Sequence, residues 1–332
     1  MKSLAYRPEL DGIRALAILA VLAEHINIPS TTLAGLVGVN LFFVLSGYLI
    51  TGILVNERAA TGRIDLRRFY ERRVRRLFPA LVAMLIATGF VMAALGQLRD
   101  YIGPAFVSLF YVSDIAKAAM YDLGYVGHTW SLAMEEQFYL LWPAVLLFVP
   151  RRFLLPGVML GIVGSILLQL VIVGADGNVL AAFRPDVRAD AILWGCLIAL
   201  MPFRPPRWAV LGAGVGLVAL AFSFLWPYAI GLSSALSAVV VAGAATVAKP
   251  LSWRPLVRIG EISYGVYLWH AIPVGLLMTQ TLAGNVAAMI AAVVITFALA
   301  LFSERFIERP FRRPRSAVVM PARLPEPTQA PA

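Results

Sequence analysis

The chain has 332 residues, of which 60% are hydrophobic and 14% charged, with a formal net charge of +10. A soluble domain cannot cover that much apolar side chain with so few polar groups, so the composition excludes a soluble globular protein and implies an integral membrane one. Ten spans of about 20 residues would use most of the chain and leave no room for an added soluble domain of useful size. In such a protein arginine marks topology and meets lipid phosphate, so nucleic acid is not expected as a partner. The single Cys196 allows no internal disulfide, and His25, His128 and His270 lie on separate segments without metal-ligand spacing, so no metal is expected.

The first expected helix runs from Pro8 to Ile26. It contains Arg14, ends in Glu24 and His25, and is followed by no small-x-small cleavage site, so it reads as a retained span rather than a cleaved signal peptide. Helix geometry puts Asp11, Arg14 and His25 on one face, with Arg14 and His25 about 16 Å apart along the axis. Asp11 and Arg14 read as a packing pair or as part of a site, and His25 as an interfacial polar residue or as a working imidazole.

Ile26 to Asn56 carries no charge and forms the second span, in which Ser46-Gly47 permits close helix approach. The densest charge run follows, Arg67-Arg68-Phe69-Tyr70-Glu71-Arg72-Arg73-Val74-Arg75-Arg76. Its composition suits an amphipathic segment ending at Pro79 and resting on anionic lipid. A phosphate cradle is the alternative, with Arg73 and Arg76 on one face. Leu77 to Leu98 is again uncharged, whereas Tyr101 to Met120 is interrupted by Pro104, Asp114 and Lys117 and reads as interfacial or half-inserted.

Trp130 to Val149 carries Glu135 and Glu136 near its start. These acids point about 100° apart, so at most one faces His25, where a carboxylate would orient the imidazole and stabilise its charged form. Alternatively both acids suit a helix N-terminus. Phe153 to Ala175 is uncharged, with Gly157 and Gly161 as a packing signal, and Arg188 to Pro202 carries Arg188 and Asp190, which enter from the same side and can line the same cavity. Trp208 to Ala248 and Ile262 to Ser303 are each long enough for two helices, divided at 226–228 and at 280–285. His270, beside Trp269, reads as a packing or hydrogen-bonding residue. The total is ten spans, and the three that carry charge are the place to seek function, because an ion at mid-bilayer costs roughly 2.5–3.5 kcal/mol.

With both termini in the cytoplasm, this count puts 23 of the 28 basic residues on the inner side and four on the outer. The stretch 313–332 is expected to be a disordered Pro-rich cytoplasmic tail.

Several stretches together resemble the membrane-bound acyltransferase 3 family, of the O-acetyltransferase type. They are Leu10-Asp11-Gly12-Ile13-Arg14-Ala15 with His25; Phe42-Phe43-Val44-Leu45-Ser46-Gly47-Tyr48; Phe69-Tyr70 through Arg73 and Arg76 to Pro79-Ala80; Thr129-Trp130-Ser131-Leu132 with Glu135; Arg188-Ala189-Asp190-Ala191; Ser263-Tyr264-Gly265-Val266-Tyr267-Leu268-Trp269-His270; and Glu308-Arg309-Pro310. The resemblance implies an all-α, ten-helix bundle in a bacterial-type inner membrane. It would pass an acyl group from cytoplasmic acyl-CoA, acetyl-CoA in this type, to a hydroxyl of an envelope glycan or a secreted small molecule. It makes His25 the base, Glu135 its supporting carboxylate, and Arg14, Arg73 and Arg76 the donor-side residues. Asp11, Trp130, Arg188 and Asp190 would then contact substrate. Two departures are Asn40, where many relatives carry an acid, and the lack of the soluble esterase-like domain of some longer relatives. From the residues alone, a secondary transporter or lipid flippase is the rival, since it also buries ionisable groups in a bundle.

Overall fold

Uncharged runs, with no water to satisfy their backbone, have the helix as their open solution, and the computed structural model is all-helical, with no strand among its described residues. These are 6–311 apart from 176, 202, 227 and 279–284. Thus the proposed break at 280–285, apart from Asn285, which caps the next helix, and the tail from 313 lie outside the described residues, as does Pro227 in the break at 226–228.

Helix α1 spans Pro8–His25, with Pro at its first position, where the missing N–H is not needed. α2 spans Ala34–Thr61 and stops at Gly62, whose φ of 77° closes the helix in the left-handed conformation. α3 spans Leu66–Ala94, and the Asp65 side chain accepts a hydrogen bond from the Arg68 N–H at its start. The arginine run is therefore not a separate interfacial segment ending at Pro79. It forms the first turns of α3, which continues through Pro79.

Helices α4, Leu98–Leu109, and α5, Ser113–Ala118, are short and separated by Tyr111 at φ 55°, so the interrupted stretch folds as two broken pieces. α6 spans Thr129–Phe148. α7 spans Arg151–Leu168 and runs on as a π-helical turn over Gln169–Ala175. α8 is Pro185–Leu200, α9 Arg207–Ala221 and α10 Ala229–Ala242, followed by a bend of 68° into Ala244–Leu251, which ends in α11, Ala248–Leu251. α12 is Arg254–Glu261, α13 Ser263–Trp269, α14 Ala271–Met278 and α15 Val286–Ser303.

Four of these helical stretches are long and apolar enough to cross a membrane, Ala34–Thr61, Leu66–Ala94, Arg151–Ala175 and Val286–Phe311, and the bent stretch 229–251 would be a fifth. The difference from ten has physical causes. α1 carries Glu9, Asp11, Arg14 and Glu24; α6 carries Glu135, Glu136 and Gln137 in succession; α8 and α9 have only 16 and 15 residues; and the run from Ile262 breaks at His270 into helices of seven and eight residues.

α2 is the central post, packed against α1, α8 and α10. Its approach to α8 is backbone on backbone. A Cβ on Gly47 would overlap the Ile192 carbonyl oxygen, and one on Gly195 would overlap that of Val44. Ser46-Gly47 therefore does permit close approach, as its small side chains suggest. Gly157 does not: nothing lies within 4 Å of its would-be Cβ, and only Gly161 meets α8, at Leu193.

Candidate active site

α1 carries Arg14 in its second turn and His25 at its last residue, so one helix serves two ends of the bundle. At the Arg14 end, α1, α2, α3, α6 and α13 line a cavity that is partly open to solvent. Its polar lining includes Arg14, Arg73, Arg76, Glu135, Tyr139 and Tyr267, set among Phe42, Phe43, Leu45 and Leu77. Arg14 approaches Asp11 only to 3.7 Å, and its buried Nε has no hydrogen-bond partner. The Arg73 guanidinium lies 4.0 Å over the Tyr139 ring, a stacked setting that fixes its plane. Three guanidinium groups around one cavity suit a multiply charged anion such as a phosphate ester.

Glu135 takes hydrogen bonds in this cavity from the Ser46 hydroxyl at 2.8 Å and from the Tyr139 hydroxyl at 3.3 Å, and Tyr139 also donates to Ser46 at 2.8 Å. It does not hold His25, contrary to the expectation from the sequence. Six residues into α6, Glu135 stands about 9 Å from the helix start, at the level of Arg14 rather than His25.

His25 finds its orienting group on its own helix, with Nδ1 2.8 Å from the Val21 carbonyl oxygen. A carbonyl only accepts, so in neutral His25 the proton sits on Nδ1 and the Nε2 lone pair is left as a base. The exposed His25 ring meets buried His270 edge-on at 4.8 Å, and His270 meets His128 at 5.0 Å. Three histidines separated in sequence thus converge, yet no His, Cys, Asp and Glu grouping among the described residues is arranged to hold a metal ion.

Tyr267 touches both ends. Its hydroxyl is 2.6 Å from the Ser131 Oγ in the wall of the arginine cavity and donates to the His128 carbonyl. Its ring lies 5.6 Å from that of His270, whose Nδ1 is hydrogen-bonded to the Tyr267 carbonyl oxygen at 2.6 Å.

The other expected site residues stay outside the cavity lining. Asp11 accepts from the Tyr6 hydroxyl. Arg188 is fully buried, donates to the Asn40 Oδ1 at 2.5 Å, and sits over the rings of Phe43 and Trp130 at 5.8 and 5.6 Å. Asp190 is bound by the Gln169 amide at 2.7 Å, and Trp130 packs edge-on to Phe183. Arg188 and Asp190 therefore form an internal polar layer and do not line the shared cavity. In the sequence Ser46 reads as a packing position and His270 as a packing or hydrogen-bonding one, and neither they nor Tyr139, Tyr267 and His128 are assigned to the site, because their contacts join separate helices.

Taken together, these features define a class: a multi-pass membrane protein with an arginine-lined cavity at one end and a histidine cluster at the other, joined by hydroxyl groups. A family model described as an acyltransferase domain matches residues 7–305, and the chain belongs to this acyltransferase 3 family. It is 34% identical to the peptidoglycan O-acetyltransferase OatA of Listeria monocytogenes serovar 1/2a, over 93% of this chain and 56% of that protein. Identity to the O-acetyltransferase OatA of Staphylococcus aureus strain NCTC 8325 is 33%, over 94% of this chain and 58% of that protein. The chain thus spans a little over half the length of these relatives. No solved structure matches it.

Proposed function

We propose that this chain is an O-acyltransferase that moves an acetyl group from acetyl-CoA to a hydroxyl of a cell-envelope glycan of the peptidoglycan kind. The observation that carries this reading is the linkage, through Ser131 and Tyr267, of a three-arginine cavity to a cluster containing His25 with a free Nε2. Arg14, Arg73 and Arg76 hold the phosphates and orient the donor, with Glu135, braced by Ser46 and Tyr139, setting the charge balance among them. The roughly 16 Å between Arg14 and His25 suits a long pantetheine arm carrying its thioester toward the histidines.

In the transfer step the acceptor hydroxyl oxygen attacks the thioester carbonyl carbon while His25 Nε2 takes its proton. The C–O bond forms, the C–S bond breaks, and the CoA thiolate leaves and is reprotonated. A base so positioned contributes roughly 10²- to 10⁴-fold. In the membrane we place ten spans with both ends in the cytoplasm of a bacterial-type inner membrane. The arginine cavity faces the donor pool and the histidines face the envelope.

The test uses purified protein in detergent with acetyl-CoA labelled in the acetyl group and soluble peptidoglycan fragments. The expected result is alkali-labile label on the glycan and one free CoA per ester formed. No ester in that assay, together with movement of unmodified glycan by the same protein reconstituted into vesicles, would instead establish a transporter.

A further inference from the structure

A second cleft, of about 310 Å³, opens where α5 leads into α6, with Lys117, Tyr121, Asp122, Leu123, Gly127 and Leu180 in its lining. We propose that it holds a carboxylate-bearing sugar unit of the acceptor, with the Lys117 ammonium pairing the carboxylate; this rests on the acyltransferase reading.

Lys117 is half-buried, with Nζ held 4.1 Å from the centre of the Phe183 ring, which itself packs on Trp130. Among the described residues no carboxylate comes within 4.0 Å of it. Asp122, in the same lining, already accepts the Gly124 N–H at 2.9 Å. A half-buried ammonium without an ion-pair partner is costly unless an anion arrives, and the ring beneath Lys117 fixes where that anion sits. The walls are preformed. Met120 at φ 64° and Gly124 at φ 47° shape the loop, and the Tyr121 hydroxyl stands where a Cβ on Gly103 of α4 would be.

The chemistry selects a carboxylate rather than a phosphate. With Asp122 in the same lining, one ammonium balances the single charge of a carboxylate better than the two of a phosphate ester, and the cavity with three guanidinium groups is the one suited to phosphate. The volume admits one or two sugar rings. Location completes the case: Gly127 in the lining directly precedes His128, whose ring joins that of His270 at 5.0 Å and, through it, His25. A unit anchored at Lys117 therefore presents its hydroxyl groups on the histidine side, opposite the arginines.

The full chain in detergent is titrated with radiolabelled N-acetylglucosaminyl-N-acetylmuramic acid, whose lactyl carboxylate is free, and with the same disaccharide as its carboxamide. The acid is expected to bind at least about tenfold more tightly. Lys117→Gln, with unchanged thermal unfolding, removes the difference, and Lys117→Arg retains most of it. Leu180→Trp fills the cleft and weakens both ligands. Equal affinity for acid and amide, an undiminished preference in Lys117→Gln, or binding of neither disaccharide overturns the proposal. Preferential acid binding by a protein that forms no ester upholds the cleft and overturns the transferase reading alone.

Discussion

His25 depends on a backbone carbonyl for its tautomer and on a second histidine for its place, and the two can be separated. His25→Ala should lower kcat by roughly 10²- to 10⁴-fold while leaving the KM for acetyl-CoA unchanged, as read by initial rates. Because Glu135 is bonded to Ser46 and Tyr139 and not to His25, Glu135→Gln should alter the donor KM and leave kcat little changed. A loss of kcat as large as that of His25→Ala would restore the carboxylate–imidazole pair. Arg73→Ala and Arg76→Ala should each raise the donor KM about tenfold or more, the loss of one charge-assisted hydrogen bond of roughly 1.5–3 kcal/mol. The spacing of Arg14 and His25 was legible in the sequence because a single helix, α1, fixes it. The Ser46–Tyr139–Glu135 cluster joins α2 to α6, and the histidine cluster joins α1, the start of α6 and the α13–α14 junction, so neither has a local spacing to read.

α2 and α8 meet through glycine and through one buried cation, and both contacts fix where Ser46 stands. Gly47→Leu drives a side chain into the Ile192 carbonyl and should cost about 1–3 kcal/mol or more, seen as a lower unfolding temperature in detergent. Asn40 carries both sides of the Arg188 contact: its Oδ1 accepts from the guanidinium and its amide donates to Ser233 and the Ile230 carbonyl. Asn40→Leu strands that cation and should cost roughly 3–5 kcal/mol, whereas Asn40→Asp replaces a neutral acceptor with an ion pair and should fold. Equal losses in the two variants would mean that Arg188 does not need this partner. The bounds of α1, α6 and α7 were legible from charge placement, since charge avoidance is strong in a bilayer, whereas α2 begins and ends later than its uncharged run and the run from Ile262 breaks at His270. The continuation of α3 back through Pro79 to Leu66 was not legible, because the arginines that begin it are as compatible with a surface segment as with a helix projecting beyond the membrane.

Across the whole molecule, composition and charge specified a membrane bundle, while the convergence of its polar residues into two distinct ends required the fold. Sidedness gives a direct prediction. Cys196 is fully buried, so cysteines introduced at Gly62 and Asp122 can be read against little background. An impermeant maleimide applied to intact cells should label the second and not the first, and the reverse pattern would invert the proposed topology. The central claim is that an acyl group enters at the arginines and leaves at the histidines. Its most direct test is protein in sealed proteoliposomes of one orientation, with labelled acetyl-CoA confined to the side of the arginine cavity and glycan fragments to the other. The account predicts labelled ester on the glycan side, abolished by His25→Ala in protein that still binds donor. Ester formed only when donor and acceptor share a side, or formed equally well by His25→Ala, would contradict it.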